Sequence, residues 1–418
     1  MKGNIFYAQS GGVTPVINAT AHGLIDEYFK NKKYFGKLYV GKNGILGALN
    51  EELIDISKEK KSELSLLKKT PGGAFGSCRL KLKDHKTSIR EFERIYDVFK
   101  AHNIQYFFYN GGGDSQDTTY KISKYFKKRK YPIICIGLPK TIDNDLPFTH
   151  CCPGFGSVAK YIATSTIEAS LDVKSMCETS TKVFILEVMG RHAGWLAASA
   201  GIIKNQASDP PHLILFPEIN FNQTIFLKRV RETIKKYGYC VIVASEGIKK
   251  NGKFISDSGI KDSFGHAQLG GVAPVLSNMI SSKLNYKVHW AVSDYLQRSA
   301  RHIASRVDVN QAYMLGTYGI KYARKNLSNI MLTIEKKKSK NKFKWAIGKV
   351  QLHKVANVEK MLPDKFIGAN GYEISNSCCK YILDLVKDED YPDYNRGVPK
   401  YANLDCKLIK KKLKNFEL

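Results

Sequence analysis

Gly137-Leu-Pro-Lys-Thr-Ile-Asp-Asn-Asp145 is the stretch on which the reading of this chain turns. It follows an apolar run, Tyr131-Pro-Ile-Ile-Cys-Ile136, of the kind that forms a buried parallel strand. The stretch is therefore predicted to lie just past a strand's carboxyl end, where open α/β sheets place their ligands. It carries one ammonium, Lys140, one hydroxyl, Thr141, and two carboxylates, Asp143 and Asp145. Lys140 and Thr141 can hold phosphate oxygens. The alternation of Asp143 and Asp145 can turn one carboxylate to a substrate and the other to a metal. An Asx-rich turn alone also accounts for an isolated Asp-Asn-Asp, so the neighbouring segments decide.

Working outward, a pattern of strand, glycines and helix recurs. Residues 4–8 are a predicted strand, followed by Ser10-Gly11-Gly12 and a helix over about residues 15–29. Glycines there let backbone amides approach a phosphate at a helix N-terminus. Residues 37–40 form a second predicted strand. Thr70-Pro-Gly-Gly-Ala-Phe-Gly-Ser-Cys-Arg79 is a glycine-rich loop whose arginine can fork onto a phosphate, although a plain surface loop explains the glycines as well. Residues 104–109 predict a strand running into Asn110-Gly-Gly-Gly-Asp-Ser-Gln-Asp-Thr118. Three glycines exceed what a helix cap by Asp114 or Ser115 needs, and a carboxylate with a hydroxyl at such a turn suits phosphate and magnesium together. Asp114 is the natural metal ligand.

Further on, Pro153-Gly-Phe-Gly156 opens a predicted helix reaching about residue 177. A strand over residues 182–188 leads into Met189-Gly-Arg-His-Ala-Gly194, another anion-friendly turn. Residues 213–216 and 240–244 are further buried strands, the second ending in Ser245-Glu246-Gly247. His266 is better explained as a loop histidine than as a metal ligand. Residues 288–292 are the last predicted strand, before Asp294-Tyr-Leu-Gln-Arg-Ser299. Arg298 and Arg301 with Tyr295 can bind a sugar phosphate.

This rhythm predicts an α/β fold with mostly parallel sheets flanked by helices. No low-complexity linker separates the parts, so two interwoven lobes are expected. Residues 1–150 form the donor lobe with the catalytic turn, and residues 151–305 the sugar-phosphate lobe. Residues 306–418 form a helical return followed by a lysine-rich, loopy C-terminal extension.

The 418 residues suffice for a large core, and 43% hydrophobic content reads as soluble and globular. No run approaches the roughly 20 apolar residues of a membrane helix. The start lacks the longer apolar region and small-residue cleavage site of a signal peptide, which points to the cytoplasm. Nine cysteines show no Cys-x-x-Cys spacing and are expected to be reduced. The net charge of +28 raises nucleic-acid binding as a rival function. The lysine runs lack interleaved stacking aromatics and match no nucleic-acid motif, so no nucleic-acid partner is expected. A basic surface also attracts small anionic substrates.

Taken together in this order, the motifs resemble those of the phosphofructokinase superfamily, and most closely its short pyrophosphate-dependent members. The resemblance implies that Gly11 and Gly12, with Arg79, Gly112, Ser115 and Lys140, bind the phosphoryl donor. It implies that Asp143 of Thr141-Ile142-Asp143 is the catalytic base, that Lys140, Asp114 and Thr141 assist it, and that Asp114 or Asp145 holds Mg2+. Thr141, Ile142, Asp143, Met189, Gly190, Arg191, Glu246, Tyr295 and Arg298 correspond to sugar-phosphate contacts. The ATP-using enzymes typically read Gly-Gly-Asp-Gly-Ser where this chain has Gly111-Gly-Gly-Asp-Ser115, and Pro-Gly-Thr where it has Pro139-Lys-Thr141. Asp114 would repel the α-phosphate of ATP, and Lys140 would supply positive charge to the migrating phosphoryl group. The resemblance therefore implies reversible phosphoryl transfer from pyrophosphate to fructose 6-phosphate, a place in glycolysis, and a homo-oligomer, a dimer being favoured. An ATP-dependent kinase of the same fold is the nearest alternative.

Overall fold

The computed structural model describes residues 2–84, 86–261, 267–269, 271–339 and 342–417, so His266 lies outside the described residues. In chain order the main elements are β1 (Asn4–Gln9), α1 (Ile17–Lys30), β2 (Leu38–Gly41), β3 (Leu53–Asp55), α2 (Ile89–Ala101), β4 (Ile104–Gly111), α3 (Gly113–Lys128) and β5 (Ile134–Pro139). They continue with α4 (Phe155–Met176), β6 (Val183–Val188), β7 (Leu213–Leu215), α5 (Gln223–Tyr237), β8 (Cys240–Ser245), α6 (Val272–Leu284), β9 (Val288–Val292) and α7 (Asp294–Ser299). Then come α8 (Arg306–Arg324), β10 (Ile330–Ser339) and β11 (Lys342–Gln351), followed by a short helix, Asn376–Leu383, and two three-residue strands.

These elements form two compact units. The first comprises Met1–Gly154, Arg306–Glu359 and Asp390–Leu418, and the second Phe155–Ser305 and Lys360–Glu389. The stretch after residue 305, expected as a helical return and a C-terminal extension, is divided between both.

The first unit is built on a seven-stranded sheet of order β11-β10-β5-β4-β1-β2-β3. It is parallel from β10 to β2 and antiparallel only at its two edge strands. Strands covered on both faces read as continuous apolar runs, and Ile5, Phe6 and Ala8 of β1 are wholly buried. Phe6, Phe99, Phe107 and Phe126 meet with ring centroids 5.1–5.9 Å apart. Each buried aromatic of this kind is worth about 1.5–3 kcal/mol. On the other side α1 and α8 approach almost backbone to backbone. A Cβ at Gly23 would collide with the Tyr313 carbonyl, and one at Gly316 with the Thr20 carbonyl. The second unit has its own four-stranded parallel sheet, β9-β6-β8-β7.

Two expectations are corrected. β5 begins at Ile134 and runs through Gly137 to Pro139, so Lys140, not Gly137, is the first residue past the strand. Its neighbours explain the shift: Gly111 of β4 pairs with Pro139 and Met331 of β10 with Gly137. Nor is 288–292 the last strand, because β10 and β11 form an antiparallel hairpin of ten residues a side. Its inner half, residues 330–334, is buried, whereas Lys337 and Lys338 lie on an exposed outer half. That outer half faces no core, so it carries no apolar alternation to read.

Candidate active site

Three turns of the first unit converge because β1, β4 and β5 are adjacent parallel strands ending at the same sheet edge. After β1, Gly11 adopts φ +73°, a left-handed conformation that favours glycine. Its amide donates to the Cys78 carbonyl (3.0 Å), while the Ser77 hydroxyl donates to the Gly11 carbonyl (2.8 Å). The loop that ends in Arg79 is thereby zipped to the 10–12 turn, with Arg79 itself exposed. After β4, Gly112 sits at the N-cap of α3, and a Cβ at Gly111 would collide with Ser115. The Ser115 hydroxyl donates to that of Ser10 (2.8 Å), joining the first two turns. At Gly113 a Cβ would meet nothing within 4 Å, so packing does not demand glycine there.

After β5, Lys140 is buried, its side chain turned back so that Nζ lies 2.6 Å from the Gly12 carbonyl. Its own amide donates to the Gly111 carbonyl (3.2 Å). Lys140 therefore links all three turns, through its ammonium to the first and its amide to the second. Asn144, wholly buried at φ +54°, shapes the aspartate turn by accepting from the Cys152 amide (3.0 Å). The Asp143 amide donates to the Thr141 hydroxyl (3.1 Å), and Asp143 and Asp145 are both half-buried on this turn. A parallel bridge joins Thr141 to Gly154, whose amide donates to the buried Asp308 carboxylate (2.9 Å).

Asp114 occupies the first turn of α3, and its Oδ1 is 2.7 Å from the Lys81 ammonium. Among the described residues no group of three or more His, Cys, Asp or Glu could by itself hold a metal ion. That is compatible with magnesium, which in phosphoryl-transfer sites takes one or two carboxylates and completes its shell with water and substrate phosphates.

The remaining sequence candidates lie in the second unit. Gly190, at φ +127°, follows β6, and its amide faces the Glu246 carboxylate at 3.3 Å. The Ser245 hydroxyl donates to its carbonyl (2.5 Å). Met189 and Arg191 flank this turn, half-buried, as is Glu246 at the end of β8. Gln297 of α7, wholly buried, accepts from the Met189 amide (3.3 Å). Arg298 lies over the Tyr295 ring at 3.9 Å, with Tyr295 exposed. Arg301, also expected to meet a sugar phosphate, is instead wholly buried. Close by, burial pushes the Glu187 carboxyl above its ordinary pKa, and the Glu246 charge adds to that.

With this geometry in hand, comparison with known proteins is informative. A phosphofructokinase family model matches residues 4–322. The chain belongs to the phosphofructokinase family. It is 53% identical over 416 residues, 99% of both chains, to the pyrophosphate–fructose 6-phosphate 1-phosphotransferase of Halomonas elongata. It is 52% identical, over 98% of both chains, to the protein of the same name from Methylococcus capsulatus. The crystal structure of a pyrophosphate-dependent phosphofructokinase from Marinobacter aquaeolei superposes with a TM-score of 0.91 at 54% identity, covering all of both chains. The phosphofructokinase-like α/β fold expected from the sequence is the fold observed.

Sequence reasoning missed the residues that hold these turns in place. Lys81 and Asp308 stand at positions with no motif of their own, and Asn144 and Gln297 lie inside the motifs without having been given a role. The one signal was charge at Lys81, two residues past Arg79, and it was indistinguishable among 66 Lys and Arg residues.

Proposed function

We propose that the chain transfers a phosphoryl group reversibly from pyrophosphate to the 1-hydroxyl of fructose 6-phosphate, giving fructose 1,6-bisphosphate and phosphate. The observation that carries this reading is the pair of charges on the donor turns, Asp114 at the start of α3 and the buried Lys140 2.6 Å from Gly12. The chain shares about half its residues, along its whole length, with relatives named for that reaction.

Phosphoryl transfer asks the protein for positioning and for charge stabilisation more than for covalent chemistry. The 10–12 turn, through the Gly12 amide and the close backbone approach that Gly11 allows, binds pyrophosphate with Gly112, Ser115 and Arg79. Lys140 meets charge building on the transferred group and on the departing phosphate. Asp143 accepts the proton of the 1-hydroxyl as it attacks, with Thr141 and Ile142 alongside. Met189, Gly190, Arg191 and Glu246 contact the sugar, and Tyr295 and Arg298 hold its 6-phosphate. Asp114 or Asp145, together with donor phosphates, would hold Mg2+, which neutralises donor charge when bound.

No helix among the described residues is long and apolar enough to cross a membrane. The same reading makes the protein a homo-oligomer, a dimer in the first instance, working in the cytoplasm, with exposed Trp290 and Leu296 as candidate contact residues. The deciding experiment is a donor-exchange assay with fructose 6-phosphate and Mg2+. Pyrophosphate is expected to support turnover and ATP is not; a preference for ATP overturns the reading.

A further inference from the structure

Lys81 is not part of any motif, yet it is the residue that engages Asp114. Its Nζ lies 2.7 Å from Asp114 Oδ1, with the two side chains 40% and 33% exposed. Exposed ion pairs add little net stability, because two flexible side chains must be ordered against screening water. The arrangement around this pair is nonetheless fixed from both sides. Leu82 is buried in the core, and its carbonyl accepts from Lys121 Nζ at 3.0 Å. Lys121 is held in turn by the buried Asp117, at 2.5 Å, one turn before it on α3. The segment carrying Lys81 is therefore pinned along the face of α3 that bears Asp114, Asp117 and Lys121.

A carboxylate in the first turn of a helix has several places to go. It can fold back on the free amides, point into water, or turn toward a neighbouring loop. We infer that Lys81 is a positioning residue for the phosphoryl donor, fixing the Asp114 carboxylate against the 76–82 loop so that pyrophosphate use depends on it. The inference rests on the reading that Asp114 belongs to the donor site.

The test uses the full chain with Mg2+ present throughout. Lys81→Met is expected to raise the KM for pyrophosphate about ten-fold, leave that for fructose 6-phosphate within about two-fold, and move the melting temperature by no more than about 3 °C. Lys81→Arg should recover most of the loss, since a guanidinium can still reach the carboxylate. Because Lys81 is argued to act through Asp114, the double variant Lys81→Met/Asp114→Asn should be no worse than Asp114→Asn alone. Calorimetric titration with magnesium pyrophosphate should give the same ranking without turnover. Multiplying effects in the double variant overturn the inference, because Lys81 would then act on the donor directly. So does an unchanged pyrophosphate KM in Lys81→Met while Asp114→Asn raises it, and in that case the donor-site reading survives. If Asp114→Asn itself leaves pyrophosphate kinetics unchanged, the donor-site reading falls and takes this inference with it.

Discussion

In the first unit, the turns after β1, β4 and β5 are tied by main-chain pairs, Gly11 to Cys78 and Lys140 to Gly111, and by two side-chain links, Ser115 to Ser10 and the Lys140 ammonium to the Gly12 carbonyl. In the second unit, the turn after β6 is held by side chains, Glu246 on the Gly190 amide and Gln297 on the Met189 amide, and of its candidates Tyr295 stands in solvent. Under the proposed function, the difference follows from what each would recognise. A donor made only of phosphate is matched by a cradle of amides and one buried cation. A sugar phosphate has hydroxyls and a distant charge, which longer side chains reach. Changes in the first unit should therefore damage the chemical step, and changes in the second should mainly weaken one substrate.

The strongest test of that division is Asp143. Asp143→Ser should lower kcat by about 10²–10⁴ with smaller changes in either KM, measured by steady-state kinetics. Near-normal turnover would remove Asp143 from the role of base. Next comes donor choice. Two bare like charges 4 Å apart repel by about 4 kcal/mol at an effective dielectric of 20, or about three powers of ten in discrimination. Lys81 sits on Asp114 and offsets part of that charge. Asp114→Gly should therefore raise ATP-dependent turnover by about one to two powers of ten, with pyrophosphate activity weakened. Lys140→Gly should lose pyrophosphate activity and gain none with ATP while Asp114 remains. An Asp114→Gly variant as blind to ATP as the parent would show that shape, not charge, excludes the nucleotide.

On the second unit, Arg298→Ala should raise the KM for fructose 6-phosphate about ten- to a hundred-fold and leave that for pyrophosphate nearly unchanged. A rise in the pyrophosphate KM instead would mean the two phosphate sites are exchanged.

The smallest expected effect separates the units by acid sensitivity. In the second unit, burial lowers the His212 pKa from 6.5 to about 4, and its Nδ1 accepts from the Val241 amide at 3.0 Å. The unfolded chain binds this proton first. The stability from neutral His212 is thus complete above pH 6.5 and lost as pH falls toward 4, about 2 kcal/mol by pH 5. In the first unit, Glu51 has a lowered pKa; burial opposes the lowering, and bonds from the Lys412 and Leu413 amides and His102 outweigh it. Its contribution is present above its ordinary pKa of 4.5 and lost only below that. Glu187 and Glu218, raised by burial, favour folding as pH falls, so a variant difference isolates the histidine. Between pH 7 and 5 the melting temperature of the parent should fall more than that of His212→Asn; parallel curves would assign the acid response elsewhere.

Much of this molecule could be read before it was seen. The glycine turns and the Thr141–Asp145 motif were legible because phosphate chemistry leaves few residue choices, and those choices cluster in sequence. The outer hairpin was misread because Lys337 and Lys338 carry the composition of a loop, and their strand pairing comes from cross-strand partners, not from a buried face. Arg301 was expected at a sugar phosphate and lies wholly buried, a difference the sequence could not show because an arginine's charge says nothing of its burial.

By itself the sequence determined the kind of chemistry now proposed: turns that end parallel strands and carry, close together, carboxylates, a lysine and phosphate-sized runs of glycine. Only the tertiary structure decided which groups meet. Three turns some 130 residues apart converge because their strands are neighbours in one sheet. Lys140 reaches Gly12, and Lys81 reaches Asp114, across separations that no local pattern encodes. The physical reason is that side-chain periodicity records which face of an element is buried, whereas pairing between elements is fixed by sheet order, crossover and packing, which act over the whole chain.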